Sequence, residues 1–187
     1  ISFEQARCFI GKGAPVLISR VMQAVGLPED PAEHARLLAL FMREYDKPPA
    51  LTRLYPGVMD ALARLRAMGL PMGLCTNKPA RPTHIALDHF GLAPFLSAVA
   101  CAETLPQRKP DPAPLCHVLA ELGTASALYV GDSEVDAETA QRAGLPFALY
   151  TEGYRHTAVA DLPHARVFDH FDALPDLVAR HLRERAA

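Results

Sequence analysis

Asp132 and Asp136 stand four residues apart just after the short apolar run that ends in Val130-Gly131. Gly131 permits a tight exit from a strand, and Asp136 lies one helical turn beyond Asp132, so the two carboxylates can share one side. Two carboxylates around one point suit Mg²⁺, with phosphate and water oxygens completing its shell. The same residues also read as a helix start capped by Asp132 or Ser133. Two further polar clusters lie upstream. Thr76-Asn77-Lys78 precedes Pro79, and a hydroxyl with free backbone N–H groups at a helix N-terminus suits a phosphate; the alternative is a Thr or Asn helix cap. Arg108-Lys109-Pro110-Asp111-Pro112 offers Lys109 to neutralise phosphate charge, or a solvated basic pair before a helix with Pro in its first turn.

The elements that must position these clusters follow from periodicity. Short apolar runs over 70–75, 98–101, 127–130 and 147–150 read as strands, with a further edge strand over 166–168. Between them, helical patterns run from Pro56-Gly57 (apolar at Val58, Leu62 and Leu65, closed by Gly69) and over 79–90, 112–122 and 134–143; a last one covers 174–182. Strands alternating with helices imply an α/β fold, a doubly wound parallel sheet with helices on both faces. In such sheets ligands bind beyond the carboxyl ends of the strands, which is where all three clusters fall. Residues 1–50 read differently, as helix throughout: a Ser2/Gln5 capping box, a helix over 14–25 stopped by Gly26-Leu27-Pro28, and one from Pro31 with Leu37, Leu38, Phe41, Met42 and Tyr45 on one face. Lys47-Pro48-Pro49 ends it as a stiff linker.

Of the 187 residues half are hydrophobic, enough for a real core in one domain or a core with a small lobe. A net charge of −2 leaves no basic footprint for nucleic acid or an acidic membrane, and no apolar run approaches a membrane span. Cys8, Cys75, Cys101 and Cys116 form no C-x-x-C pair, and are expected as reduced thiols of a cytoplasmic protein rather than a disulfide frame or zinc site.

Taken in order, Leu74-Cys75-Thr76-Asn77-Lys78-Pro79, Lys109-Pro110-Asp111-Pro112 and Gly131-Asp132-Ser133-Glu134-Val135-Asp136 resemble the second, third and fourth motifs of the haloacid dehalogenase superfamily. The likeness extends along nearly the whole chain. Ile10-Gly11-Lys12-Gly13-Ala14 with Leu17 and Arg20 is similar to the cap segment of phosphoglycolate phosphatases, as are Leu54-Tyr55-Pro56-Gly57-Val58 and Gly153-Tyr154. Val135 departs from the pattern, standing where many relatives have Asn. The resemblance implies a Rossmann-like core over 51–187 with a helical cap over 1–50, and Mg²⁺-dependent hydrolysis of a small phosphorylated metabolite, 2-phosphoglycolate first, through an aspartyl-phosphate. It implies that Thr76 hydrogen-bonds the transferring phosphoryl group and Lys109 neutralises it. Asp132 binds the metal, and Asp136 supports it through water or orients Lys109. Asn77 and Ser133 line the site, and Lys12 contacts the substrate or faces solvent. A monomer or homodimer is expected.

The superfamily's first motif, Asp-x-Asp-Gly-Thr, brings the nucleophile on a central strand between those ending at Thr76 and Asp132. No Asp-x-Asp occurs in these residues, and Asp169 and Asp172 stand in the wrong context. That strand is expected upstream of Ile1. The 187 residues alone are then expected to leave two strand edges unpaired, to fold poorly and to be inactive. Alternatives on the same scaffold are a β-phosphoglucomutase, a pyrophosphatase, a nucleotidase or a dead fragment. A dehalogenase proper fits less well, because it needs no acidic metal pair.

Overall fold

The computed structural model describes residues 1–186. The chain opens with α1 (Phe3–Arg7), started by the expected capping box: Gln5 N–H donates to Ser2 Oγ at 3.2 Å and Ser2 N–H to Gln5 Oε1 at 2.8 Å. Next come α2 (Ala14–Ala24), with Pro15 in its first turn, and α3 (Pro31–Tyr45), whose first turn is capped by Asp30 at 3.1 Å from the Ala32 N–H. These two helices pack on each other through their apolar stripes.

From residue 58 the order is α4 (Val58–Ala67), β1 (Gly73–Cys75), α5 (Ala80–His89), β2 (Ala98–Ala100), α6 (Ala113–Glu121), β3 (Tyr129–Gly131), α7 (Glu134–Arg142), β4 (Phe147–Tyr150), β5 (Arg166–Phe168) and α8 (Leu174–Ala186). All strand pairs among the described residues are parallel: β1 with β2, and β3 with β4 with β5. Alternation along β4 shows how the layers are built. Phe147 and Leu149 face Ala137 and Ala140 of α7, whereas Ala148 and Tyr150 face Leu65 of α4, Phe168 and Leu174. An aromatic cluster closes the second face, with the Tyr55 and Tyr150 ring centroids 4.7 Å apart and those of Tyr150 and Phe171 4.9 Å apart. On the other half, α6 covers β1 and β2 through Leu115 and Val118.

The strands form two sheets, not one: β1–β2 and β3–β4–β5. The edges of β1 and β3 are not paired with each other, and between them lies a cavity of about 600 Å³. Leu74 and Cys75 line it on one edge and Tyr129 and Val130 on the other; Leu65 and Leu174 stand on one face, Leu115 and Val118 on the opposite one. These are two strand edges with no pairing partner among the described residues. Two strands differ from the periodicity. β1 is three residues long, where the apolar run over 70–75 suggests six, and Pro71 within that run has no N–H for a ladder. β3 is half-exposed at each of its three residues, although its sequence reads as an interior strand.

Candidate active site

The carboxyl ends of β1 and β3 carry the polar clusters, and the loop after β2 brings the third to them. The centre is an ion pair. Lys109 Nζ lies 2.7 Å from Asp136 Oδ1, with the two side chains only 11% and 8% exposed. Tyr129 completes a triangle: Lys109 Nζ donates to its hydroxyl at 3.1 Å, and the hydroxyl donates to Asp136 Oδ1 at 3.0 Å. The other carboxylate oxygen of Asp136 accepts from Ser133 Oγ at 2.7 Å and from the Asp132 N–H at 3.2 Å. Every bond to Asp136 favours its ionised form, which matters because a buried charge is tolerated only when paired and hydrogen-bonded. Burial alone would raise the Asp136 carboxyl, but Lys109 outweighs it and holds the carboxyl below the ordinary range. Burial alone would likewise lower Lys109, but Asp136 holds it above the usual lysine range.

Gly131 makes this approach possible, since a Cβ there would stand 2.5 Å from Asp136 Cβ. Ser133 caps α7 and its hydroxyl is taken up by Asp136, so it braces the centre from behind. Asn77 is a brace too: its Nδ2 donates to Lys109 O at 2.9 Å and Gly11 O at 3.1 Å, while its Oδ1 accepts from the Lys109 N–H at 3.0 Å. It ties together the ends of two loops and the turn before α2. Thr76 follows β1 directly, and its hydroxyl accepts from the Lys78 N–H at 3.1 Å. Lys12 lies apart from this cluster, exposed at the rim of a cleft of about 630 Å³ between the first two helices and the start of α7, with Arg20, Val135 and His156.

Asp132 differs from Asp136 in having no ion pair among the described residues, although the charge of Lys109 still acts on it. Its Oδ2 accepts from the Tyr154 N–H at 3.2 Å. Burial, with the charge of Asp136 behind it, pushes its carboxyl above the ordinary carboxylate range. A half-buried carboxylate at a strand end with no ion-pair partner among the described residues suits a hard cation. Among the described residues no three His, Cys, Asp or Glu side chains gather into a metal cage, but Mg²⁺ does not ask for one; it takes one or two carboxylates and fills its shell with water and substrate phosphate. Asp132 therefore fits as a direct ligand, and Asp136 as the group that fixes Lys109.

Tyr129 is a member of the centre that pattern reading passed over. Its signal was a phenol in an otherwise aliphatic strand, two residues before Gly131-Asp132. The cysteines are free thiols, and burial pushes Cys75, next to Thr76, up to about 11. No described helix is long and apolar enough to cross a membrane.

Comparison with known proteins agrees with this geometry. The phosphoglycolate phosphatase of Cereibacter sphaeroides (strain ATCC 17029 / ATH 2.4.9) is 53% identical over 175 residues, covering 93% of this chain and 80% of that protein. The phosphoglycolate phosphatase of Rhodobacter capsulatus is 45% identical over 179 residues, covering 95% and 81%. Among solved structures, a predicted phosphoglycolate phosphatase from Haemophilus somnus 129PT superimposes with a TM-score of 0.84 at 28% identity, covering 95% of this chain and 82% of that one. Residues 4–150 match the family described as haloacid dehalogenase-like hydrolase, and the chain belongs to that family.

Proposed function

We propose that this chain forms the greater part of a Mg²⁺-dependent phosphomonoesterase that converts 2-phosphoglycolate to glycolate and phosphate. The observation that carries the reading is the division of labour between two neighbouring carboxylates. Asp136 is saturated by Lys109, Tyr129, Ser133 and a backbone N–H, whereas the half-buried Asp132 beside it has no ion-pair partner among the described residues. The substrate is supported by the names of the similar proteins, at up to 53% identity.

In this reading Thr76 donates its hydroxyl hydrogen to a phosphoryl oxygen. Lys109, held protonated by Asp136, faces the charge that gathers on the transferring group. Asp132 would hold Mg²⁺, whose bound charge supplies Lewis-acid stabilisation of the phosphoryl oxygens. The nucleophile is assigned to an extended segment outside residues 1–187 that fills the slot between β1 and β3. An aspartate at the carboxyl end of such a strand arrives between Thr76 and Asp132, opposite Lys109. Residues 1–50 act as the cap that excludes water from the site, with Lys12 at its rim.

The test is phosphate release from 2-phosphoglycolate by the full gene product, with and without Mg²⁺, against a panel of sugar phosphates, nucleotides and pyrophosphate. Mg²⁺-dependent turnover with 2-phosphoglycolate preferred supports the reading. Preference for another ester overturns the substrate, and no Mg²⁺-dependent hydrolysis of any overturns the function. Residues 1–187 alone are expected to be inactive.

A further inference from the structure

The loop after β4 touches Asp132 through Gly153 and Tyr154. Gly153 packs so tightly on that carboxyl that a Cβ at 153 would stand 2.2 Å from both Asp132 Cβ and Oδ2. Its φ lies outside the left-handed region, so what excludes a side chain there is Asp132 itself. The next residue supplies a hydrogen bond to Asp132 Oδ2, from the Tyr154 N–H at 3.2 Å. The loop is in turn held by the first helix: Arg7 Nη2 donates to Gly153 O at 3.3 Å, and the Arg7 guanidinium sits 5.5 Å from the centre of the Tyr154 ring. Arg7 and Gly153 are 146 residues apart in the chain.

We infer that Gly153, Tyr154 and Arg7 are positioning residues for the metal-binding carboxylate, and that α1 sets metal affinity through this loop. The inference rests on the proposed role of Asp132. The physical case is that a carboxylate oxygen held by the Tyr154 N–H and packed closely by the preceding glycine is pre-oriented for a ligand. Groups behind a metal ligand typically govern affinity by about ten- to a hundred-fold. Arg7 acts at one remove: its hydrogen bond to the Gly153 carbonyl and its seat on the Tyr154 ring fix the peptide whose N–H holds Asp132.

The experiment is Mg²⁺ titration by calorimetry on the full gene product, with the melting temperature of each metal-free variant measured alongside. Gly153→Ala should weaken Mg²⁺ binding about ten-fold or more, because the methyl group must displace the Asp132 carboxyl. Arg7→Ala should weaken it by a smaller factor and leave the metal-free melting temperature unchanged. Arg7→Lys, which keeps a donor for the Gly153 carbonyl, should recover most of the loss. Wild-type affinity in both Gly153→Ala and Arg7→Ala overturns the inference while leaving the proposed function standing. Absence of Mg²⁺ binding in the wild type overturns both. Should Gly153→Ala fail to fold, the Arg7 pair decides: equal affinity in Arg7→Ala and Arg7→Lys overturns the inference.

Discussion

At the scale of residues the site turns on a buried ion pair whose two members were placed by different loops. Lys109→Met leaves the Asp136 carboxylate buried beside Tyr129 without a cation. Breaking a buried pair from one side costs about 3–5 kcal/mol, readable by urea unfolding. The double variant Lys109→Met with Asp136→Leu should recover most of that stability and none of the activity, which separates folding from chemistry. The pair also sets a pH window. Asp136 has a folded-state pKa below its unfolded value, so its contribution is present above about pH 4 and lost as pH falls through the folded pKa. Lys109 has a raised folded-state pKa, so its contribution is present below about pH 10.4 and lost as pH rises through the folded value. Stability of the wild type should fall at both ends of that window, and the double variant should lack this part of the dependence. Asp132 behaves oppositely. Its half-buried carboxylate stands near a like charge, so Asp132→Asn should raise the melting temperature of the metal-free protein while abolishing Mg²⁺ binding. A melting temperature that falls instead would show that the carboxylate has a partner in solution.

At the scale of elements β4 is the mechanical centre of what is present. All four of its residues are buried, and Leu149 is fully inaccessible between β3, β5 and α7. Leu149→Ala should cost about 2–5 kcal/mol by lost transfer energy and cavity formation, measured by chemical denaturation. Val167→Ala on β5, a residue that is 46% exposed, should change stability by less than about 0.5 kcal/mol. The apolar runs made β4 and its neighbours legible, because their periodicity is a local property. The lengths of β1 and β3 were not, because a strand ends where its pairing partner ends, and those partners, β2 and β4, lie elsewhere in the chain.

At the scale of the whole molecule the open question is the slot itself. About 600 Å³ of mostly apolar space between two parallel half-sheets is unusual for a close-packed interior. Residues 1–187 alone should therefore bind a hydrophobic dye such as ANS. An added peptide with an apolar extended segment ending in Asp-x-Asp should displace the dye and raise the melting temperature; a peptide with Pro in the middle of that segment should do neither. Dye binding that the intact peptide leaves unchanged would show that the half-sheets do not accept a strand from outside. The helical segment at the start of the chain is joined to the rest by several small contacts: Asn77 with Gly11, Arg7 with Gly153, Arg81 with Asp46 at 3.2 Å, and Lys78 over the Tyr45 ring at 4.6 Å. None of these could be read from spacing, since each pairs residues tens of positions apart.

The sequence by itself determined the order and type of the elements, the three polar clusters at strand ends, and the want of an Asp-x-Asp, because all of these are written in local spacing and residue type. Only the tertiary structure decided what each polar group does. Asp132 and Asp136 have the same chemistry and lie four residues apart, yet one is saturated by Lys109, Tyr129 and Ser133 and the other accepts from the Tyr154 backbone N–H with no ion pair among the described residues. Asn77 and Ser133, expected to line the site, turn their side chains to bracing it, and Tyr129 enters it from a strand. The reason is burial: a polar side chain taken out of water must find its partners among whatever the fold brings near, and those partners come from distant parts of the chain.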